Sequence, residues 1–210
     1  LSALEANIRA ISASLQGNTQ IMAVVKADAY GHGEAEILQK LTQIGIRYFA
    51  VSNLDEALHV RQYCPDSDVL ILGYTPPEYA DTLAQNNIIQ GIVSAEYACT
   101  LNARPRIPIR CHVKLDTGMG RIGITGDTPG DCADSIQDMS FLRNLKIEGI
   151  YTHFAVADMP DDPEQNAYTE AQKQFIRSVG TELMKRGVHL KHLHYLNSAG
   201  VLYHNDANST

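Results

Sequence analysis

Seven short apolar runs punctuate these 210 residues, and any fold the chain adopts must accommodate them. The first is IMAVVK at residues 21–26; the others fall at 47–51, 69–72, 87–93, 109–115, 146–153 and 191–196. Each is too short for a helix and rich in Val, Ile and Leu, as strands buried on both faces of a parallel sheet are. Between them the apolar residues take a helical spacing. Leu1, Leu4, Ile8, Ile11 and Leu15 precede Gly17, and Ile37, Leu38, Leu41 and Ile44 form the next set. Further helices are expected from Asn53 to about Tyr63, after Pro76 and Pro77, behind Ser94 as N-cap, near 131–144, and from about Glu164 to Arg186. The last carries Phe175, Val179 and Leu183 on one face and ends at Gly187. Strands that alternate with helices and never form a hairpin pattern imply an α/β architecture with right-handed crossovers.

A doubly wound sheet and a barrel both satisfy that alternation. The glycine-rich turn of a dinucleotide-binding sheet opens a helix directly after a strand. Here GMGRIG, residues 118–123, follows a strand without opening an obvious helix, so a TIM-type (β/α)8 barrel is favoured. A complete barrel usually needs roughly 250 residues and eight strands. VLYHNDANST, residues 201–210, contains nothing like an eighth strand, and the first residues already sit in a helix. The expectation is one incomplete barrel domain over 1–210, a piece of a longer protein.

Composition narrows the partners. A net charge of -7 leaves no basic stripe to neutralise a nucleic-acid backbone or an anionic membrane surface. No apolar stretch is long enough for a membrane span, and LSALEANIRA lacks the features of a secretory signal. Cys64, Cys99, Cys111 and Cys132 form no CxxC pair; reduced, mostly buried thiols and a cytoplasmic setting are expected.

In a barrel the chemistry lies where the strands end. Those positions hold Lys26, Lys114 with Asp116, His153, and His194 with Asn197 and Ser198. Lys26 follows Ala23-Val24-Val25, an apolar wall that would lower its pKa and free a nucleophilic amine. By position alone, a strand-end lysine more often reaches back to solvent. His192 and His194 alternate on a strand and face one side, but spacing offers no third ligand, so no metal is expected. His32 belongs to a turn, and His59, His112, His189 and His204 read as surface or core residues. Asp127, Asp131, Asp161 and Asp162 lie in Gly/Pro-rich loops and are expected in solvent.

Four segments add a resemblance. VVKADAYGHG (24–33), HVKLDTGMGRIG (112–123), THFAVAD (152–158) and HYLNSAG (194–200) resemble the motifs of the alanine racemase family. The resemblance implies that Lys26 holds pyridoxal 5'-phosphate as a Schiff base and that Tyr30 and Ser198 bind its phosphate. It implies that His153 lies beside the cofactor ring, that His194 sits behind the partner of the ring nitrogen, and that Asn197 supports the site. Arg121 would face the cofactor's phenolic oxygen and the substrate carboxylate, held by Lys114 in carbamylated form. Leu196 stands where the family usually has a small residue.

The activity so implied is interconversion of L- and D-alanine by two-base proton transfer, supplying peptidoglycan precursors. The family works as a homodimer in which a tyrosine from a second, β-rich domain of the partner subunit serves the opposite face. That tyrosine and the ring-nitrogen arginine would lie beyond residue 210, so little racemase activity is expected of this segment alone. A serine or broad-specificity amino-acid racemase shares these motifs. A single-domain pyridoxal-phosphate-binding protein without catalysis would suit the length but not the KADAYGHG and DTGMGRIG words. Related decarboxylases rank third.

Overall fold

The computed structural model describes residues 1–15 and 17–205. The chain begins with α1 (Ser2–Ser14), β1 (Met22–Val24), a helical turn α2 (Lys26–Gly31), α3 (Glu34–Gln43), β2 (Tyr48–Val51), α4 (Leu54–Tyr63) and β3 (Asp68–Ile71). A 3-10 turn (Pro77–Tyr79) leads into α5 (Ala80–Gln85), followed by β4 (Ile88–Ile92), α6 (Ala95–Asn102) and β5 (Ile109–Lys114). It continues through α7 (Pro129–Ser140), β6 (Leu145–Tyr151), α8 (Pro163–Lys185), β7 (His192–His194) and α9 (Ser198–Tyr203). The seven strands pair in chain order, every pair parallel.

The sheet is curled. Tyr48 on β2 and His192 on β7 bring their rings to 5.6 Å, although four strands separate theirs in the sheet. A flat sheet would hold them about 24 Å apart at roughly 4.8 Å per strand. Among the described residues the expected barrel is therefore present as a curled seven-stranded sheet with β1 and β7 at its edges. A hollow of about 210 Å³ lined by Leu15, Ile21, Ile46 and Tyr48 lies beside the β1 edge, at the end where strands begin.

Alternation along the strands separates two layers. On β5, Ile109, Cys111 and Val113 join the main core beneath the helices, while Arg110, His112 and Lys114 point into the barrel. The interior is apolar on one side, where Ala50, Leu70 and Ile89 cluster with Met22 and Leu72. Toward β5–β7 it is polar. Gly91 makes room there: a Cβ would lie 2.6 Å from the Tyr151 hydroxyl and 2.7 Å from the Ile71 carbonyl.

The helix starts follow the capping chemistry expected. Asn53 accepts the Glu56 N–H and Ser94 the Tyr97 N–H. Two loop carboxylates expected in solvent also cap: Asp131 closes a capping box with Thr128 at α7, and Asp162 accepts two amides at α8. Some boundaries move. α1 ends at Ser14, ahead of Gly17, and α7 spans Pro129–Ser140 rather than 131–144. Strand β1 stops at Val24, two residues before Lys26, although Val25 still donates to the Ala50 carbonyl. Residues 198–203, unassigned from sequence, form α9; residues 206–210 of the segment expected to lack a strand lie outside the described residues. The cysteines are free, with Cys99 exposed and the other three buried. No helix among the described residues is long and apolar enough to cross a membrane.

Candidate active site at the barrel mouth

The first strand ends in an unusual piece of backbone. Ala27, Asp28, Ala29 and Tyr30 all take left-handed dihedrals, φ 52 to 56°, so α2 is a left-handed turn of L-residues. Each such residue costs about 1–2 kcal/mol through its Cβ, roughly 4–8 kcal/mol for four. Hydrogen bonds on both sides hold it. Ala29 N–H donates to Val25 O and Gly33 N–H to Asp28 O, while the Asp28 carboxylate accepts Glu34 N–H at 2.6 Å. From α4, the Glu56 carboxylate accepts Ala27 N–H at 2.9 Å and Ser52 N–H at 2.7 Å. The turn carries the Tyr30 ring to the Lys26 amine, with Nζ 5.9 Å from the ring centroid. Tyr30 is largely exposed and Lys26 half-buried. His32 lies in this turn as expected, its Nδ1 3.0 Å from the Ala29 carbonyl.

The end of β5 is organised by one carboxylate. Asp116 accepts the N–H groups of Gly118, Gly120 and Arg121, folding residues 116–121 around itself. Burial raises its pKa, but the three amides outweigh that and hold it below the usual carboxylate value. The loop then returns to the strand: Ile124 N–H donates to Lys114 O and Asp116 N–H to Ile124 O. Gly123 permits this, since a Cβ there would stand 2.6 Å from Asp116 N and its φ is 134°. Arg121 is left exposed at the tip.

Lys114 is 4 % exposed, and its Nζ donates to the Leu115 carbonyl at 2.8 Å. Burial brings its pKa down to about 8; Asp116 pulls it up and Arg121 down. The ammonium lies 5.7 Å from the Tyr151 ring centroid. His153, beyond the end of β6, is half-buried. Burial holds its pKa below the free value, helped by three positive charges: Arg121, Lys114 and Lys26. Three of the cations singled out in the sequence, Arg121, Lys114 and Lys26, therefore act electrostatically on one imidazole.

Below the mouth is a layer of histidines. His194 stacks on Tyr151 with centroids 5.0 Å apart and planes 5° from parallel. Its Nε2 lies 2.9 Å from His112 Nδ1. Burial, then the neighbouring imidazoles, hold His194 well below the usual value, and burial brings His112 down to about 3. Both are thus neutral, and each contributes one donor or one acceptor to their contact. The other ring nitrogen of His112, Nε2, is buried without a partner among the described residues. His192 joins this layer, 5.3 Å from His112. No group of three or more His, Cys, Asp or Glu side chains among the described residues is arranged to hold a metal ion.

The remaining two residues lie on the other flank. Asn197 spends its carboxamide oxygen on Gly200 N–H as the N-cap of α9, and Ser198 is the exposed first residue of that helix. Neither is hydrogen-bonded to Lys26, Arg121 or His153 among the described residues. Neither Glu56 nor Tyr151 stands out in the sequence, and His112 reads there as a core or surface residue. A signal is present for two of these: Arg110, His112 and Lys114 alternate with apolar residues, and Tyr151 falls in the apolar run that ends at His153.

A curled parallel sheet with Lys26 just past its first strand, Lys114, Arg121 and His153 at its mouth and a histidine layer below defines an α/β barrel of the TIM type. The family described as alanine racemase, N-terminal domain, matches residues 1–210, and the chain belongs to it. It is 40 % identical over 201 residues to an amino-acid racemase of Enterococcus faecalis, covering 96 % of this chain and 28 % of that protein. Similarity to a serine/alanine racemase of Enterococcus gallinarum is 36 % over 207 residues, covering 99 % and 29 %. Among solved structures, an alanine racemase of Clostridium difficile superposes with a TM-score of 0.84 at 31 % identity, covering 96 % of this chain and 52 % of that one. The chain thus spans under a third of the two relatives and about half of the solved protein.

Proposed function

We propose that this chain is the cofactor-binding barrel of a pyridoxal-5'-phosphate-dependent amino-acid racemase acting on alanine. The observation that carries the reading is the gathering of the charges of Lys26, Lys114 and Arg121 around His153. The carboxylates beside them, Asp116, Asp28 and Glu56, each accept backbone amides. That donor set suits a flat ring bearing a phosphate: cations for the anion, an imidazole for the ring, and a lysine amine for the aldehyde.

The chain's own groups then take these parts. Lys26 is the covalent anchor, and its free amine exchanges a proton with one face of the substrate's α-carbon. Tyr30 and Ser198 offer hydroxyls to the phosphate, with α9 held in place by the Asn197 cap. Arg121 orients the substrate carboxylate, and Lys114 sets the position of Arg121. His153 closes one side of the ring site against water, and His194 backs it from within the barrel. When bound, the cofactor supplies an electron sink that makes the α-proton acidic. Racemisation also needs a group on the opposite face, which we assign to a second domain of a partner subunit in a homodimer. A cytoplasmic role in supplying D-alanine for peptidoglycan completes the reading. Serine as substrate is the second reading, favoured by the similarity to a serine/alanine racemase over 99 % of the chain.

The test is direct. Full-length protein mixed with pyridoxal phosphate should develop a visible band that borohydride abolishes, with the added mass on the peptide holding Lys26, and Lys26→Ala should show neither. Rates with L-alanine and L-serine then choose the substrate. A Lys26→Ala protein that keeps the band would overturn the assignment.

A further inference from the structure

α8 reaches the mouth through a side chain that no motif marks. Gln172 is 2 % exposed, and its two polar atoms hold two different loops. Oε1 accepts the Ala155 N–H at 3.0 Å, two residues after His153, and Nε2 donates to Thr117 Oγ1 at 3.1 Å, in the loop that carries Arg121. The orientation of the amide is not arbitrary. A backbone N–H can only donate, so the oxygen must face Ala155 and the amino group Thr117. Thr117 and Thr152 then share a bond of 2.8 Å, and Thr152 Oγ1 lies 3.0 Å from the Leu115 carbonyl. A carbonyl only accepts, so the Thr152 hydrogen goes there and Thr117 must donate to Thr152. Every link runs one way, from Gln172 through Thr117 and Thr152 to Leu115 O. The same carbonyl accepts Lys114 Nζ.

We propose that Gln172 is a positioning residue for the reaction, fixing the relative placement of Arg121, His153 and Lys114 through this one-directional chain; the inference rests on the functional reading above. A helix side chain that merely filled space would not need both amide ends matched. Tyr168, one turn earlier on α8, grips the same loop through its hydroxyl on the Gly118 carbonyl at 2.6 Å. The Arg121 loop is thus fastened to α8 at two points, but only Gln172 also holds the loop of His153.

Full-length, cofactor-loaded protein carrying Thr117→Val, Thr117→Ser, Gln172→Glu or the pair Gln172→Glu with Thr117→Val tests this. Thr117→Val removes only the hydroxyl, and Gln172→Glu keeps the acceptor for Ala155 but loses the donor. Each should lower kcat about tenfold or more, as displaced reacting groups do, with a smaller change in KM. The double variant should be no slower than the slower single one, because both cut one chain, and Thr117→Ser should stay within about twofold of the parent. In the apoprotein the Arg121 Nε–H resonance should be single in the parent and broadened or doubled in Thr117→Val. The inference is overturned if Thr117→Val keeps parental turnover and an unchanged Arg121 resonance, or if the two single effects multiply. Should the parent fail to take up pyridoxal phosphate at Lys26, the functional reading falls, and the apoprotein resonance still decides whether the chain positions Arg121.

Discussion

Lys114 places an ammonium where few proteins keep one. Its folded pKa of about 8 lies below the free value of 10.5, chiefly through burial. Between those values the unfolded chain binds more protons than the folded one, so stability rises with pH across that window. Below about 8 the full cost is present. Lys114→Met, similar in volume, should therefore stabilise the protein at pH 7 under carbon-dioxide-free conditions by about 2 kcal/mol, a Tm gain of roughly 4–8 °C. The gain should vanish above pH 10.5; a loss of Tm, or a gain independent of pH, would contradict this account. A residue kept at such a cost points to use rather than packing. Its neutral amine can add carbon dioxide, giving a carbamate and one released proton, which turns repulsion with Arg121 into attraction. Carbon-13 NMR in labelled bicarbonate should show that carbamate growing as pH rises through about 8, and a Lys114→Met protein should lack it.

At the scale of elements, α2 reverses the usual rule for glycine. Ala27 is exposed and left-handed, with its N–H on Glu56, so its methyl contributes strain and little packing. Ala27→Gly should raise stability by about 1 kcal/mol, where the same change in a right-handed helix lowers it by about that much. Chemical denaturation measures the sign, and a destabilised Ala27→Gly protein would show that the turn is not left-handed in solution. Glu56→Gln can satisfy only one of its two backbone donors, so it should lose about 1–3 kcal/mol and bind pyridoxal phosphate more weakly. Much of this architecture was readable in the residues. The strands announced themselves as apolar runs, and Asn53 and Ser94 as caps, because these are local effects. Lys26, Lys114, His153 and His194 stand out in the sequence as candidates because a barrel puts its chemistry at strand ends. The left-handed turn was not, since its residue types do not favour it and its support comes from Glu56 on another helix. Gln172 was missed for the same reason: its partners lie on loops distant in sequence.

Across the whole molecule, the barrel interior changes character from bottom to top: ion pairs, then histidines, then the cationic mouth. The floor is centred on Glu148, 2 % exposed, whose carboxylate meets Arg110 at 2.6 Å, Lys191 at 3.0 Å and Lys146 at 3.1 Å. Arg110 extends the network to Asp68 on β3. A bulge makes this possible: Cys111 pairs with Ile147 and His112 with Gly149, leaving Glu148 as the extra residue turned inward. Burial pushes its pKa up, but Arg110, Lys191 and Lys146 outweigh it and hold the carboxyl at about 2, against 4.5 when free. Because the folded value is the lower one, its stabilisation is complete above about pH 4.5 and is lost as pH falls toward 2. Glu148→Gln leaves Arg110 short of a buried counter-charge and should cost roughly 3–5 kcal/mol at pH 7. Measured from pH 7 down to 2, the Tm of parent and variant should converge, since protonation removes the same charge that the substitution does. Cofactor uptake at Lys26 should be unchanged at pH 7, because the floor and the mouth occupy opposite ends of the strands. A variant whose deficit stays constant to pH 2 would mean that Glu148 stabilises by packing rather than by charge.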